Sequence, residues 1–168
     1  MNPTKVSRIF DVLTNDDIKH VLRLAQEDGV QVSIRGTKHS MGGHTIAPDG
    51  YVLDMRNFNR ISYNQETNLV TTGTGAQWTD LIHYLNQFGL SPRTMQSYSS
   101  FSVGGTISVN AHGITTDYSL MESIVNFVII TADGNEQICS RTENKDLFGL
   151  AVGGYGLFGV ITEVISTH

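Results

Sequence analysis

The sequence predicts an α+β fold of two small lobes, each combining a sheet with helices, and a cleft between the lobes. Three observations support this prediction. Strand-like and helix-like hydrophobic periods follow one another along the chain, polar glycine-rich loops follow several of these segments, and no linker interrupts the 168 residues. A chain of this length can bury one sizeable core. We expect a single domain, with one lobe at about residues 1–56 and the other at about residues 57–168.

The first lobe is predicted to begin with a strand, a helix and a second strand. Residues 6–12 are rich in β-branched and aromatic side chains, which favour a strand. The helix should begin after a cap at Thr14 or Asn15 and end at Gly29. Residues 30–34 then alternate as a strand does and lead directly into a polar loop. In α/β proteins, ligands bind at such strand ends.

The rest of the chain is predicted to be rich in hairpins. Hydrophobic patterns indicate the strands and helices that are given below, and Asp-Gly at 133–134 favours a tight turn within one of the hairpins. The predicted strands are residues 51–55, 60–63, 69–74, 123–131, 136–140 and 158–165, and the predicted helices are residues 77–88 and 144–151.

Charge and cysteine content narrow the class of protein. The net charge is −5, and basic residues do not cluster, which disfavours a nucleic-acid partner. The single Cys139 excludes an intramolecular disulfide and a cysteine-based zinc site, and no histidine pair has zinc-site spacing together with a carboxylate, so no metal is expected. The N-terminus lacks a leader-like apolar region, and no run has membrane-spanning length. We therefore expect a cytoplasmic protein.

The first candidate ligand loop comprises residues 35–40, Arg-Gly-Thr-Lys-His-Ser, with Gly42 and Gly43 shortly after it. The pyrophosphate of a dinucleotide needs unobstructed backbone N–H groups and hydroxyl donors, which Thr37 and Ser40 could supply. The loop matches neither the P-loop pattern nor the Rossmann glycine pattern. A hairpin-like turn between two strands is the alternative interpretation.

Two further glycine-rich segments follow. Residues 102–113 bring Gly104 and Gly105 into an apolar stretch that ends with a histidine beside a glycine, which suggests backbone lying against a planar ligand. A buried strand with a glycine bulge explains this pattern equally well. Residues 146–162 combine Asp-Leu-Phe with Gly-Gly-Tyr-Gly and a closing strand, where glycine serves packing as well as any ligand.

In this order and spacing, the three segments resemble the vanillyl-alcohol oxidase / PCMH-type FAD-binding oxidoreductase family. The likeness is greatest to its sugar-lactone and alditol oxidases and its decaprenylphosphoryl-ribose oxidases, and it extends over nearly the whole chain. The resemblance implies the PCMH-type FAD-binding fold, with FAD as the cofactor between the lobes. The family loop reads Arg/Lys-Gly-x-Gly-His-Ser. Lys38 stands where its second glycine is common, which would add a positive charge beside the phosphates.

The resemblance also assigns cofactor contacts, although it assigns no catalytic residue. The pyrophosphate would be met by Gly36, Thr37, Lys38, His39 and Ser40. The ribityl chain and the flavin ring would be lined by Ser102, Val103, Gly104, Gly105, Val109, Asn110 and His112. Ile161 would offer its backbone to the adenine side. His39 matches the histidine that several branches of the family join covalently to the flavin 8α-methyl group.

The function implied by the resemblance is oxidation of an alcohol or sugar-type substrate, such as an alditol or aldonolactone, by hydride transfer to flavin N5. In this family a second domain supplies the substrate cavity, and we expect that domain to be absent from this chain. The alternative is a non-catalytic FAD-binding module or subunit that needs a separate substrate domain.

Overall fold

The computed structural model describes residues 4–40, 46–114 and 118–168, and it shows an α+β fold with two sheets. Gly42 and Gly43, singled out in the sequence, lie outside the described residues. No helix within the described ranges has both the length and the apolar character needed to cross a membrane.

The first sheet is small and parallel. It is formed by β1 (Arg8–Asp11), β2 (Val32–Arg35) and β3 (Tyr51–Asp54), in the order β1-β3-β2, and helix α1 (Asn15–Asp28) connects its first two strands. Thr14 caps α1 by accepting a hydrogen bond from the Asp17 N–H, and Gly29 ends the helix with φ 65°. The predicted strand–helix–strand start is confirmed, as are the helix cap and the stop at Gly29.

The second sheet is antiparallel and has the order β4-β5-β8-β6-β7. Its hairpins pair β4 with β5 and β6 with β7, as the sequence predicts. Gly134 has φ 81°, a value that glycine adopts without steric cost. The strands and helices of this part are β4 (Ile61–Asn64), β5 (Leu69–Gly73), α2 (Trp78–Asn86), α3 (Val103–Ser108), α4 (Leu120–Ser123), β6 (Ile124–Ile130), β7 (Glu136–Ser140), α5 (Lys145–Ala151) and β8 (Val160–Ser166).

Apolar residues form two clusters, and one of them joins the two sheets. In that cluster, Ile18 of α1 and Leu53 of β3 are buried together with Ile130 of β6 and Val160 of β8. Burial of aliphatic side chains contributes about 1.5–3 kcal/mol each. The first sheet and its helix are therefore held against the second sheet by a shared apolar core.

The segment at residues 102–113 differs from the buried strand that its apolar pattern also allowed, because it contains helix α3. Glycine disfavours helices by about 1 kcal/mol relative to alanine. Tertiary contacts stabilise the helix nevertheless: Trp78 Nε1 donates to Thr106 Oγ1 at 3.1 Å inside the core. Helix α4 was not predicted, although Ser119 and Glu122 form the capping box that marks its start.

Candidate cofactor site

The loop at residues 36–40 follows β2 directly, and a buried ion-pair cluster holds the end of that strand. Arg35 Nη2 donates to Asp54 Oδ2 at 2.6 Å, and Arg56 Nη2 donates to the same oxygen at 2.7 Å. The Asp54 side chain is 1% exposed. The Arg35 carbonyl also accepts from the Met55 N–H at 3.0 Å. Because the Arg35 guanidinium is bonded to Asp54, its role in the structure is to fix the start of the loop.

The backbone of Lys38 explains why glycine is favoured at this position. Lys38 has φ 61°, in the left-handed region that costs a residue with a Cβ roughly 1–2 kcal/mol. The residues immediately before and after Lys38 are in hydrogen-bond contact, since Thr37 Oγ1 lies 3.0 Å from His39 Nδ1. The loop therefore turns at Lys38 and places His39 on its exposed side.

The first loop lies directly against the second glycine-rich segment. A β-carbon added to Gly36 would lie 2.2 Å from Ser102 Oγ, so the Gly36 backbone approaches the Ser102 side chain as closely as glycine permits. His39 Nε2 lies 3.2 Å from Ser100 Oγ. The His39 and Phe101 rings pack with their centroids 4.7 Å apart. Ser100 and Phe101 were not among the predicted site residues.

At the start of α3, the paired glycines pack against protein. A β-carbon on Gly104 would lie 2.6 Å from Thr74 Cβ, and the Gly104 N–H donates to the Thr74 carbonyl at 2.9 Å. The Val103 N–H donates to Ala76. Gly105 is exposed, and its added β-carbon would meet Ser102 Oγ at 2.9 Å. Packing against Thr74 therefore explains the glycine at position 104 without reference to a ligand.

The residues after α3 lie at the surface of the same region. Val109 and Asn110 are exposed, and Asn110 has φ 45°. His112 is also exposed. Its Nδ1 donates to the Gly113 carbonyl at 2.8 Å, and its own carbonyl accepts from Gln96 Nε2. Of the two nitrogens of this imidazole, Nδ1 is therefore occupied by a backbone contact.

The third glycine-rich segment contacts the second and lies beside β2, the strand that leads into the first loop. The Gly153 N–H donates to the Ile107 carbonyl at 3.0 Å, and the Tyr155 N–H donates to the Ser108 carbonyl at 2.9 Å. A β-carbon on Gly156 would lie 3.2 Å from Ile34 Cδ1 of β2. Segments separated by many residues in sequence therefore meet around one surface.

Ile161 lies within β8, beside this surface. It is buried, and its carbonyl accepts from Thr74 Oγ1 at 2.7 Å, so part of its backbone is already used within the protein. A shallow cleft lies at this position, lined by Ser108, Ala151, Gly156, Phe158, Gly159 and Ile161. A small pocket of about 20 Å³ lies between β5, β8 and α2, but Val103 is the only predicted site residue among its lining residues.

The chemistry of the clustered segments suits a dinucleotide pyrophosphate. Residues 35–40 and 97–113 contain no aspartate or glutamate, so no carboxylate of these segments repels a phosphate. They supply hydroxyl groups from Thr37, Ser40 and Ser102, whereas the Val103 and Gly104 N–H groups at the start of α3 are already bonded to Ala76 and Thr74. Lys38 adds a cation. Neutral donors and one flexible cation are the groups that bind phosphates in proteins.

The fold and this site define a PCMH-type FAD-binding domain, and comparison with known proteins agrees. The chain matches the family described as FAD binding domain over residues 7–140. It belongs to that family, and its cofactor is FAD.

Curated relatives come from plants and a bacterium. The chain is 32% identical over 160 residues to cytokinin dehydrogenase 9 of Oryza sativa subsp. japonica, covering 92% of this chain and 30% of the relative. It is 31% identical over 163 residues to cytokinin dehydrogenase 1 of Arabidopsis thaliana, covering 92% and 28%. An uncharacterized oxidoreductase, ORF5 in the fasciation locus of Rhodococcoides fascians, is 30% identical over 149 residues, covering 88% and 34%. The chain thus spans about a third of these relatives' length.

Burial of Asp54 between two guanidinium groups predicts a defined loss of stability in acid. Although burial alone would raise the pKa of Asp54, hydrogen bonds from Arg56 and Arg35 hold it well below its usual range near 4. A lowered pKa in the folded state stabilises the protein above the unfolded pKa, and this contribution disappears as the pH falls below about 4.

We expect the unfolding free energy of the wild type to fall by up to about 1.4 kcal/mol for each pH unit below 4 from this one group. Urea unfolding at stepped pH values measures the slope, and the Asp54→Asn variant is the control for the other carboxylates. Equal slopes for the wild type and Asp54→Asn would contradict the prediction.

Proposed function

We propose that this chain is the cofactor-binding part of a flavin-dependent oxidoreductase in which substrate hydride passes to flavin N5. The observation that carries the proposal is the meeting of three glycine-rich segments: Gly36 lies against Ser102, Gly153 and Tyr155 bond to the α3 segment, and Gly156 lies beside β2, the strand that leads into the first loop. When bound, FAD supplies the two-electron redox chemistry. The residues of this chain bind it, orient it and limit its exposure to water.

Within this proposal, each segment contacts a different part of the cofactor. The loop comprising Gly36, Thr37, Lys38, His39 and Ser40 holds the pyrophosphate. The α3 segment lines the ribityl chain and flavin through Ser102, Val103, Gly104, Gly105, Val109, Asn110 and His112, and Ile161 lies toward the adenine. The support is chemical, since N–H groups, hydroxyls and one cation cluster without a carboxylate in residues 35–40 and 97–113.

The substrate class has two candidates. Resemblance to the sugar-lactone and alditol oxidases favours an alcohol or sugar-type substrate, which would be oxidised at a CH–OH group. The relatives' names favour a cytokinin. Anaerobic loss of the visible flavin absorbance on adding an alditol, an aldonolactone or a cytokinin to the FAD-loaded chain distinguishes the two. No bleaching with any of them, while dithionite still reduces the flavin, would favour the alternative of a binding module that needs a separate substrate domain.

His39 is proposed to carry the flavin covalently. The bond would join a ring nitrogen to the 8α-carbon in place of one hydrogen, and the two electrons and two protons released would pass to molecular oxygen. The loop geometry supports this role, since His39 is exposed and lies directly after the turn at Lys38. An 8α-histidyl bond would make the flavin a stronger oxidant.

We expect wild-type chain incubated with FAD in air to retain yellow colour in its acid-precipitated pellet and to gain one FAD in intact mass. His39→Ala should lose both signals while still binding FAD reversibly, because the pyrophosphate contacts of Gly36, Thr37, Lys38 and Ser40 remain. His83→Ala is the control, as it removes an exposed histidine of α2 that is not assigned to the site. A colourless wild-type pellet from protein that was yellow beforehand would reduce His39 to a contact residue. No spectral change on adding FAD would contradict the assigned cofactor contacts as well.

A further inference from the structure

His39 has a hydroxyl group at each of its ring nitrogens, and the two hydroxyls come from different parts of the chain. Thr37 Oγ1 lies 3.0 Å from Nδ1 and belongs to the same loop. Ser100 Oγ lies 3.2 Å from Nε2 and is 61 residues away in sequence. The Phe101 ring packs against the imidazole at an interplanar angle of 60°.

These contacts restrict the imidazole in a way that neither segment could achieve alone. A neutral imidazole has one N–H donor and one acceptor nitrogen, whereas a hydroxyl can donate or accept. Because each hydroxyl can take either role, the two contacts fix the direction of the ring and not its tautomer. Thr37 belongs to the same loop as His39, so Ser100 and Phe101 are the contacts that hold the ring relative to the α3 segment.

We propose that Ser100 is a positioning residue, which sets the orientation of the His39 imidazole before the flavin bond forms. The inference rests on the proposed covalent role of His39. Ser100 is not required to touch the cofactor. The Ser100 hydroxyl holds the ring in one orientation relative to the α3 segment, and misorientation of a nucleophile slows its reaction steeply.

The first test needs no cofactor. In protein labelled with ¹⁵N-histidine, the ring-nitrogen signals of His39 report the hydrogen bonds that the ring makes, and His39→Gln assigns the signals. We expect the same signals in the wild type and in Ser100→Thr, which keeps the hydroxyl. Ser100→Ala should shift them, because the contact at Nε2 is lost. Ser97→Ala removes an exposed serine three residues away and should leave them unchanged. Identical His39 signals in the wild type and Ser100→Ala would overturn the proposal.

The second test follows formation of acid-stable flavin with time after FAD is added. Ser100→Ala should slow attachment by at least about tenfold, whereas Ser100→Thr and Ser97→Ala stay close to the wild-type rate. Reversible FAD affinity should change little in all three. An unchanged attachment rate in Ser100→Ala overturns the proposal. If the wild type forms no acid-stable flavin, the covalent role of His39 fails, and the ¹⁵N measurement still decides whether Ser100 orients the ring.

Discussion

Asp54→Ala is expected to lower the free energy of unfolding by about 3–5 kcal/mol, because it leaves two guanidinium groups without their buried partner. The Asp54 carboxylate accepts from Arg35 Nε and Nη2 and from Arg56 Nε and Nη2, and it also accepts from the Arg56 N–H. Alanine removes every one of these bonds at once. A loss of this size is a large part of the 5–15 kcal/mol typical of a domain. Urea unfolding followed by circular dichroism measures it.

Arg56→Ala is the matched control for this prediction. The Arg56 side chain is 52% exposed, so its loss removes one partner and leaves the Arg35–Asp54 pair intact. We expect a cost of about 1–2 kcal/mol, within the range for hydrogen bonds to charged groups. If Asp54→Ala were no more destabilising than Arg56→Ala, the cluster would not be what holds the end of β2.

The cluster also connects stability to the cofactor site. Arg35 is the last residue of β2, and the proposed phosphate loop begins at Gly36. β2 and β3 pair in parallel with Arg35 opposite Asp54, so the carboxylate fixes both the strand end and the first residue of the loop. A strand end fixed in this way pre-organises the loop, which reduces the entropy lost on binding a ligand.

Local sequence signals predicted the first lobe well. The capping residue Thr14, the apolar spacing of α1 and Gly29 at its end are all short-range features, and the structure follows each of them. The hairpins were similarly predictable, since their turn residues and alternating strands lie close together in the sequence.

Helix α3 could not be predicted in the same way, because its stability does not come from its own residues. Its glycines oppose a helix, but the Val103 and Gly104 N–H groups bond to carbonyls of Ala76 and Thr74. These partners precede α3 by more than twenty residues. Tertiary contacts of this kind override weak helix propensity, and a period-based interpretation of residues 102–113 cannot detect them.

The sequence indicated the three candidate segments but not the side-chain contacts that join them. The motif residues of the three segments were identified from sequence, whereas Ser100 and Phe101 were not, because a serine-rich connection gives no sign of facing His39. Asp54 and Arg56 were also missed. A carboxylate at the end of an apolar strand, followed two residues later by an arginine, is the signal that could have drawn attention to them.

Gly36→Ala is expected to weaken reversible FAD binding at least tenfold, equivalent to about 1.4 kcal/mol, and to leave both sheets folded. The new methyl group would lie 2.2 Å from Ser102 Oγ and 2.9 Å from Ser102 Cβ, so the phosphate loop must move away from α3. The φ of Gly36 lies outside the left-handed region, so the cost comes from this contact and not from the backbone. Titration of FAD, followed by its absorbance or by flavin fluorescence, measures the affinity.

A compensating change makes the test specific to this contact. Ser102→Gly removes both atoms that the methyl group would meet, so Gly36→Ala with Ser102→Gly should bind FAD more tightly than additivity of the two single variants predicts. Gly149→Ala is the control for adding a methyl group elsewhere: its β-carbon would meet nothing within 4 Å, and a helix interior gains about 0.5–1 kcal/mol from the change. If the changes in FAD-binding free energy of the two single variants simply add up in the double variant, Gly36 and Ser102 do not act through their contact. An unchanged affinity in Gly36→Ala would show that the spacing between the loop and α3 does not limit FAD binding.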